Sequence, residues 1–402
     1  MWNRLLHWRA TCVVAPFLLF IVYAGTTGCA GKEAAPVNNC AADSGRLISL
    51  KAVVADTLRL YLDSLLVVGV QTPVQYVEKE NALLVYDGYN KRLLSYPLDA
   101  GTALLRPGHI QPLHLDGKVT YFQYLRPDSL LLYTYDSFQL LFYNMAADSV
   151  YKTLSFTGRP LPPNLAFNPA PPNACNAAPI ILKDHTIIGV GYLIGEREHE
   201  VPEGRTLCTE IHLPDGKVQH KVPYSKVYRS ANWGGVHMRT PYAAYNATED
   251  KLLLSLPADH RLQVIDSAWQ VKDIYAGTRE PCCISALPFP KTHQKMKDPD
   301  MPLRYFTGTP SYRNIIFDPY RQRYYRLLQL PPAATALNHE GLAEKHAKII
   351  AFDTAFHYLG EASLPGSLAL DNFFVTARGL YFLDAANKDS NIGRYVQIKM
   401  EL

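Results

Sequence analysis

The chain has 402 residues and carries 40 Lys and Arg against 36 Asp and Glu, a formal charge of +4. A balance this even excludes a nucleic-acid partner, because proteins that bind polyanions show a basic patch or stripe. Only 19% of residues are charged, while 11% are aromatic and 26 are tyrosine, a mixture suited to pleated sheets.

Residues 1–28 have the parts of a secretory signal. Arg4, His7 and Arg9 form a basic start, "ATCVVAPFLLFIVYAG" (10–25) is the apolar region, and the small residues Thr26, Thr27 and Gly28 follow. The apolar run is short for a spanning helix, which needs about 20 residues, and Pro16 interrupts it. "TTGC" resembles a bacterial lipobox, in which the signal is cut before a cysteine that receives lipid chains. This predicts lipidation at Cys29, a membrane partner held through that lipid, and an outer-membrane location, either surface-exposed or facing the periplasm. The expected organisation is a signal peptide (1–28), a lipidated flexible tether (29–45) and one large domain (46–402).

Removing residues 1–28 leaves 374 residues and a charge of +2, since Arg4 and Arg9 leave and no acid does. Cys12 leaves with the signal and Cys29 is the lipid site. The remaining Cys40, Cys175, Cys208, Cys282 and Cys283 are too few, and odd in number, for a disulfide framework. One or both of Cys282 and Cys283 read as buried thiols, with a bridge between the two neighbours as the alternative. They lack the spacing and further ligands of a zinc site, so no metal and no cofactor is expected.

Beyond the tether the chain alternates short apolar runs with polar turns. The pairs are "ALLVYDGYNKRLLSYPL" (82–98), "LLLYTYDSFQLLFYNM" (130–145), "TIIGVGYL" with "LCTEIHLPDGKVQHKV" (186–222), "KLLLSLPADHRLQVID" (251–266), "NIIFDPYRQRYYRLLQL" (314–330) and "GLYFLDAANKDSNIGRYVQIKM" (379–400). Runs of this length bounded by Asp, Asn, Gly and Pro predict strands and hairpins. The first aliphatic of each unit is Leu83, Leu130, Ile187, Leu252, Ile315 and Leu380, giving steps of 47, 57, 65, 63 and 65 residues. Such a recurrence with only strands inside predicts an all-β, six-bladed β-propeller. A seventh blade or a pair of β-sandwiches is the alternative. After Asn372 only three strand-like runs remain, so the early run "TLRLYL" (57–62) is expected to complete the last blade and close the ring. "GRPLPPNLAFNPAPPNACNAAP" (158–179) reads as a stiff loop, and "HEGLAEKHAK" (339–348) as one short helix.

Taken together, the lipobox, "LRLYLDS", "LLVYDGYNKRLLSYPLD", "YRNIIFDPYRQRYYRLLQLP" and "AKIIAFDTAFHYLGE" resemble a Bacteroidetes lipoprotein family known as domain of unknown function four-two-two-one. The resemblance covers roughly residues 45–400, and "FDPYRQRYYRL" is its most specific piece. It implies a six-bladed, TolB-like propeller and supplies no activity. "CAGKEA" (29–34), with a lysine and an acid after the cysteine, also looks like the export signal of surface lipoproteins in that phylum.

Motifs of chemistry are sparse. Neither G-x-S-x-G nor H-E-x-x-H occurs, so no catalytic residue is assigned. His339 and His346 lack a third ligand. "GVGYLIG" (189–195) is one residue off a dinucleotide fingerprint but is followed by "EREHEVPEG", which opens no helix, so its glycines read as strand packing. The acids of "GEREHEVPEG" (195–204) read as a hairpin tip. Two segments combine arginines with aromatic rings: "YRSANWGGVHMRTPYAAYN" (228–246) and "RYFTGTPSYRNIIFDPYRQRYYR" (304–326). Arginine holds carboxylates through paired hydrogen bonds, and flat rings receive sugars and cations. The segments stand about one repeat apart, so Trp233, His237, Arg239, Tyr305 and Arg313 are expected to line one ligand face; the alternative is structural, with Tyr–Arg stacking across blades and an Asp-Pro turn at Asp318–Pro319. This predicts a lipid-anchored, non-enzymatic module for a glycan, peptide or protein partner. A propeller hydrolase or lyase, and a scaffold subunit of an envelope complex, are the alternatives.

Overall fold

The computed structural model describes residues 37–42, 45–98, 104–156, 172–192, 205–229, 231–287, 301–332 and 345–401. Residues 1–36, which include the expected signal and Cys29, the acidic stretch 195–204, His339 and most of the proline-rich segment lie outside them.

Two strands precede the first blade: β1 (Asn38–Cys40) and β2 (Lys51–Tyr61). Blade 1 holds β3 (Val74–Val77), β4 (Ala82–Asp87), β5 (Arg92–Pro97) and β6 (His109–Pro112). Blade 2 holds β7 (Val119–Arg126), β8 (Ser129–Thr134), β9 (Gln139–Asn144) and β10 (Ser149–Ser155). Blade 3 holds β11 (Ile181–Lys183), β12 (Thr186–Val190), β13 (Thr206–His212) and β14 (Val218–Pro223). Blade 4 holds β15 (Tyr242–Asn246), β16 (Lys251–Ser255), β17 (Arg261–Ile265) and β18 (Val271–Tyr275). A connection with β19 (Cys283–Ser285) and a helix, α1 (Met301–Gly308), leads to blade 5: β20 (Ser311–Asp318), β21 (Arg323–Leu330), β22 (His346–Asp353) and β23 (Tyr358–Ser363). Blade 6 holds β24 (Leu368–Thr376), β25 (Gly379–Asp384) and β26 (Ile392–Glu401), and β2 is its fourth strand. All six sheets are four-stranded and antiparallel, as the repeat spacing predicts.

Burial explains why these hairpins are so apolar. Every residue of β4, β8 and β25 is buried, because a middle strand of a blade is covered by a neighbouring blade on each face. Outer strands such as β10 keep one face in water and read as mixed sequence. The turns share a device. Asp87, Asn246 and Asp318 each accept the amides two and three residues on, and the fourth residue on (Lys91, Asp250 or Gln322) takes a positive φ near 50°. Short Asx side chains mimic a turn carbonyl, which is why Asp and Asn punctuate the runs. At Gly189 a Cβ would lie 2.4 Å from Pro172 Cγ, so this glycine serves strand packing, as expected.

The ring closes through β2, which pairs with β26 from Lys51↔Glu401 to Tyr61↔Ile392. The closing strand is longer than "TLRLYL" and starts six residues earlier. Residues before it add a second tie, since Leu50 N donates to Glu361 O at 2.8 Å and Glu361 N to Ile48 O at 3.0 Å, fastening blade 5 to the same segment.

Four expectations need correction. Residues 38–40 are part of the fold: β1 pairs with β19, and a Cys40–Cys283 disulfide links chain positions 243 apart. The tether expected over residues 29–45 therefore does not reach residue 45. Cys282 is a free, buried thiol as expected for one of the pair, but Cys283 bridges a distant partner rather than its neighbour, which local spacing could not reveal. In "HEGLAEKHAK", His346–Lys348 open β22 and pair with Leu328–Leu330, so this stretch is no helix there. The helix that does form, α1, overlaps the start of the Arg–aromatic segment 304–326. Ile315, the fifth marker of the repeat, lies on the first strand of its blade, whereas the corresponding markers of the other blades lie on the second. Blade 5 begins its second strand with "RYYR", so its aliphatic run sits one strand early.

Antiparallel pairing also sorts the connections onto two ends. The start of each first strand, the β4–β5 type of turn and the end of each fourth strand share one end. That end gathers the long connections, including 62–73, 224–241 and 276–310.

Candidate functional site

At this long-loop end, a cleft of about 540 Å³ opens between blades 5 and 6. Its walls come from α1 (Leu303, Phe306, Thr307), the first strands β20 and β24, the β23–β24 connection, and Val70 from the β2–β3 connection. Arg313, Lys345 and Asp371 are the charged groups among its described lining residues.

Backbone irregularity places these charges. The β20–β21 register shifts between Tyr312 and Ile315, and the β24–β25 register between Ala369 and Phe373. Bulges of this kind twist a strand and re-aim its side chains. Here they turn Arg313 and Asp371 toward each other across the blade boundary, where they form an ion pair. Arg313 Nη1 also donates to Gln329 Oε1 at 3.3 Å, and its guanidinium lies 5.2 Å from the centre of the Tyr242 ring. The neighbouring asparagines staple the blades: Asn314 donates to Leu370 O, and Asn372 to Gly69 O at 2.8 Å. Three buried atoms of this cluster, Arg313 Nε, Asp371 Oδ1 and Asn314 Oδ1, have no hydrogen-bond partner among the described residues.

Lys345 forms the α1 side of the cleft. Its ammonium donates to Phe306 O at 2.9 Å, Thr309 O at 2.6 Å and Ser311 Oγ at 2.7 Å, and lies 4.0 Å from the centre of the Phe306 ring. A cation at the last carbonyls of a helix complements the helix dipole. Burial, then the nearby Arg313 charge, push the Lys345 pKa down to about 7. Deeper in, burial and then the Asp371 charge push the Cys175 thiol up to about 11, which keeps it protonated.

The five residues singled out from sequence divide. Arg313 lines the cleft. His237 is exposed at the rim and stacks on Phe306, ring centres 5.0 Å apart; partial burial, then Arg313 and Lys345, lower its pKa. Tyr305 is a brace: its hydroxyl donates to Ser285 O at 2.7 Å and its ring covers Gly234. Gly234 has a φ of +78°, and a Cβ there would lie 2.9 Å from Tyr305. Trp233 does not face a ligand. It is 2% exposed, packs in the core beside Tyr228, and donates from Nε1 to Val227 O at 2.9 Å. Arg239 is likewise buried, at 5% exposure. The two segments do meet, through His237–Phe306 and Gly234–Tyr305, but mostly by packing. Sequence reasoning passed over Asp371 and Lys345. Asp371 was readable only by setting "YRNI" of β20 beside "LDNF" of β24, where a charged residue precedes Asn in both.

Among the described residues no three or more His, Cys, Asp or Glu gather as a metal site would need. Arg326 of "FDPYRQRYYRL" is fully buried and lies over the Tyr312 ring at 3.8 Å, donating to Ser255 Oγ and to backbone carbonyls of blade 4. It is a clamp between blades.

Six antiparallel four-stranded sheets closed by an early strand, with a cleft at the long-loop end that carries three charged side chains, define a six-bladed β-propeller with a candidate binding site. The model of the domain of unknown function DUF4221 matches residues 117–363, more than half of the chain, and the chain belongs to that family. A solved member of the family from Bacteroides vulgatus is similar at 17% identity, with a TM-score of 0.68, over 88% of this chain and 98% of that one. A candidate exported protein from Bacteroides fragilis is similar at 9% identity, with a TM-score of 0.52, over 88% of this chain and 96% of that one. At these identities both show the fold alone. No curated protein matches the chain.

Proposed function

We propose that this chain is a lipid-anchored propeller of the cell envelope that binds a carboxylate-bearing ligand in the cleft between blades 5 and 6. The Arg313 cluster carries this reading. A bulge holds a guanidinium on the wall of a cleft large enough for a small ligand, beside a second cation and an aromatic ring. Arg313 and Lys345 outnumber Asp371 there, and guanidinium groups match carboxylates in geometry. Catalysis of glycoside cleavage would ask for two facing carboxylates, whereas Asp371 is the one carboxylate among the described lining residues and is held by Arg313. Binding without catalysis fits this arrangement better.

A carboxylate of this size can come from an acidic sugar or from a peptide terminus. Calorimetric titration of the full chain in detergent with trigalacturonate, trialanine and neutral maltotriose separates these. Binding of either acid with none of maltotriose is expected, and which acid binds names the source. Tighter binding of maltotriose than of both acids overturns the reading.

The anchor rests on the lipobox, "TTGC" at residues 26–29. Residues 1–28 are then removed and Cys29 carries the lipid, since more than one chain on a residue gives stable attachment. Cys29→Ser should leave the protein unprocessed or free of membranes on fractionation. A cleaved Cys29→Ser protein that still sediments with outer membrane would contradict it.

A further inference from the structure

The end of the propeller that carries the cleft also carries the three most exposed large apolar side chains among the described residues, and the start of the described chain. Leu65 and Val67, in the β2–β3 connection, are 58% and 84% exposed, and Tyr89, in the β4–β5 turn, is 92% exposed. The connection is held in place. Leu66 is buried in the core, Asn90 Nδ2 donates to Leu65 O at 2.9 Å, and Asn372 holds Gly69. Leu65 and Val67 therefore stand out from a rigid base, and Val70 of the same connection forms one wall of the cleft.

The opposite wall, α1, leads to the N-terminus. Tyr305 of α1 bonds Ser285 of β19, and β19 pairs with β1 and is disulfide-bonded to it. Asn39 is fixed further, donating from Nδ2 to Ala258 O at 2.6 Å and accepting at its carbonyl from His260 Nε2 at 3.0 Å. The described chain thus begins at Val37, on the same end as the cleft. Eight peptide steps separate Cys29 from Val37, and eight residues reach at most about 29 Å when extended.

From these positions we infer that the long-loop end lies against the lipid bilayer, with Leu65, Val67 and Tyr89 as the contact and the cleft opening toward the membrane surface. The inference rests on Cys29 as the lipid site. A short leash fixed to this end by a disulfide, a strand pair and two hydrogen bonds brings it within about 29 Å of the bilayer. Exposed aliphatic and tyrosine side chains are the groups that gain by entering an interface. The ligand of the cleft would then be one presented at the membrane surface.

The test uses the full-length lipoprotein reconstituted in vesicles of phosphatidylethanolamine and phosphatidylglycerol that carry a doxyl-labelled lipid quencher. A bimane probe is placed on Val67→Cys or, at the other end of the propeller, on Lys79→Cys. Several-fold stronger quenching at position 67 than at position 79 is expected, and Leu65→Asp should reduce it. Equal quenching at both positions, or a probe at 67 that is shielded from water but not quenched, overturns the docking surface; the second result would mark a protein partner there. A wild-type chain that fails to float with the vesicles overturns the anchor, and the docking surface with it.

Discussion

Two buried side chains show how single residues hold the blades in register. Arg326 spreads its guanidinium over Ser255 Oγ and the carbonyls of Leu256, Asp259, His260 and Ala276, so blade 5 grips the β16–β17 turn of blade 4. Lysine keeps the charge but has three donors and no plane to lay on Tyr312. Hydrogen bonds from charged groups contribute about 1.5–3 kcal/mol each, so Arg326→Lys should destabilise by about 3 kcal/mol in denaturant titration, and an unchanged midpoint would remove the clamp. His260 is the second case. Its Nε2 donates to Asn39 O, so its Nδ1 accepts from the Tyr312 hydroxyl at 2.7 Å, and the ring is held neutral. Burial lowers its pKa from 6.5 to about 4. The unfolded chain therefore binds the extra proton first. The stability due to this group is full above pH 6.5 and falls as pH drops from 6.5 to 4, by about 3 kcal/mol. Replacing His260 by Gln should flatten that part of the stability profile; a wild-type profile level between pH 6.5 and 4 would argue against a neutral, buried imidazole.

Among the elements, strands buried on both faces were the readable ones. β4, β8 and β25 are continuous apolar runs, whereas fourth strands such as "HIQP" of β6 and "VKDIY" of β18 carry their polar face to water and leave little pattern. The pairing of β1 with β19 left no trace in the sequence, because three residues, two of them asparagine, gain their strand conformation from a distant disulfide partner. The Cys40–Cys283 bond closes a long loop, and such bonds typically contribute about 2–4 kcal/mol. Cys40→Ser should lower the melting temperature and free the N-terminal segment for proteolysis before Leu47. Protection equal to the wild type would mean that hydrogen bonds alone hold β1. The cleft was half readable for a related reason. Arg313 stands in a conspicuous Arg–aromatic stretch, but Asp371 and Lys345 matter only through bulges and a helix end that tertiary structure creates.

At the scale of the whole molecule, the propeller depends on one strand returning from the other end of the chain. Deleting residues 51–61 should abolish cooperative melting, because β26 would be left with an open edge and the ring would lose its closing pairs. A sharp transition in the shortened protein would show that closure is supplied elsewhere. Closure was readable because the last unit lacked a strand and an early run matched it. Ring and cleft are linked, since the wall formed by Val70 and the staple from Asn372 both lie just beyond the closing strand. Binding at that wall can be measured directly by titrating the better of trigalacturonate and trialanine into the full chain and into Arg313→Leu and Arg313→Lys at pH 6.5. Both variants should lose at least tenfold in affinity, Leu more than Lys, with His109→Ala unaffected; equal affinity in all four proteins would contradict carboxylate binding at Arg313.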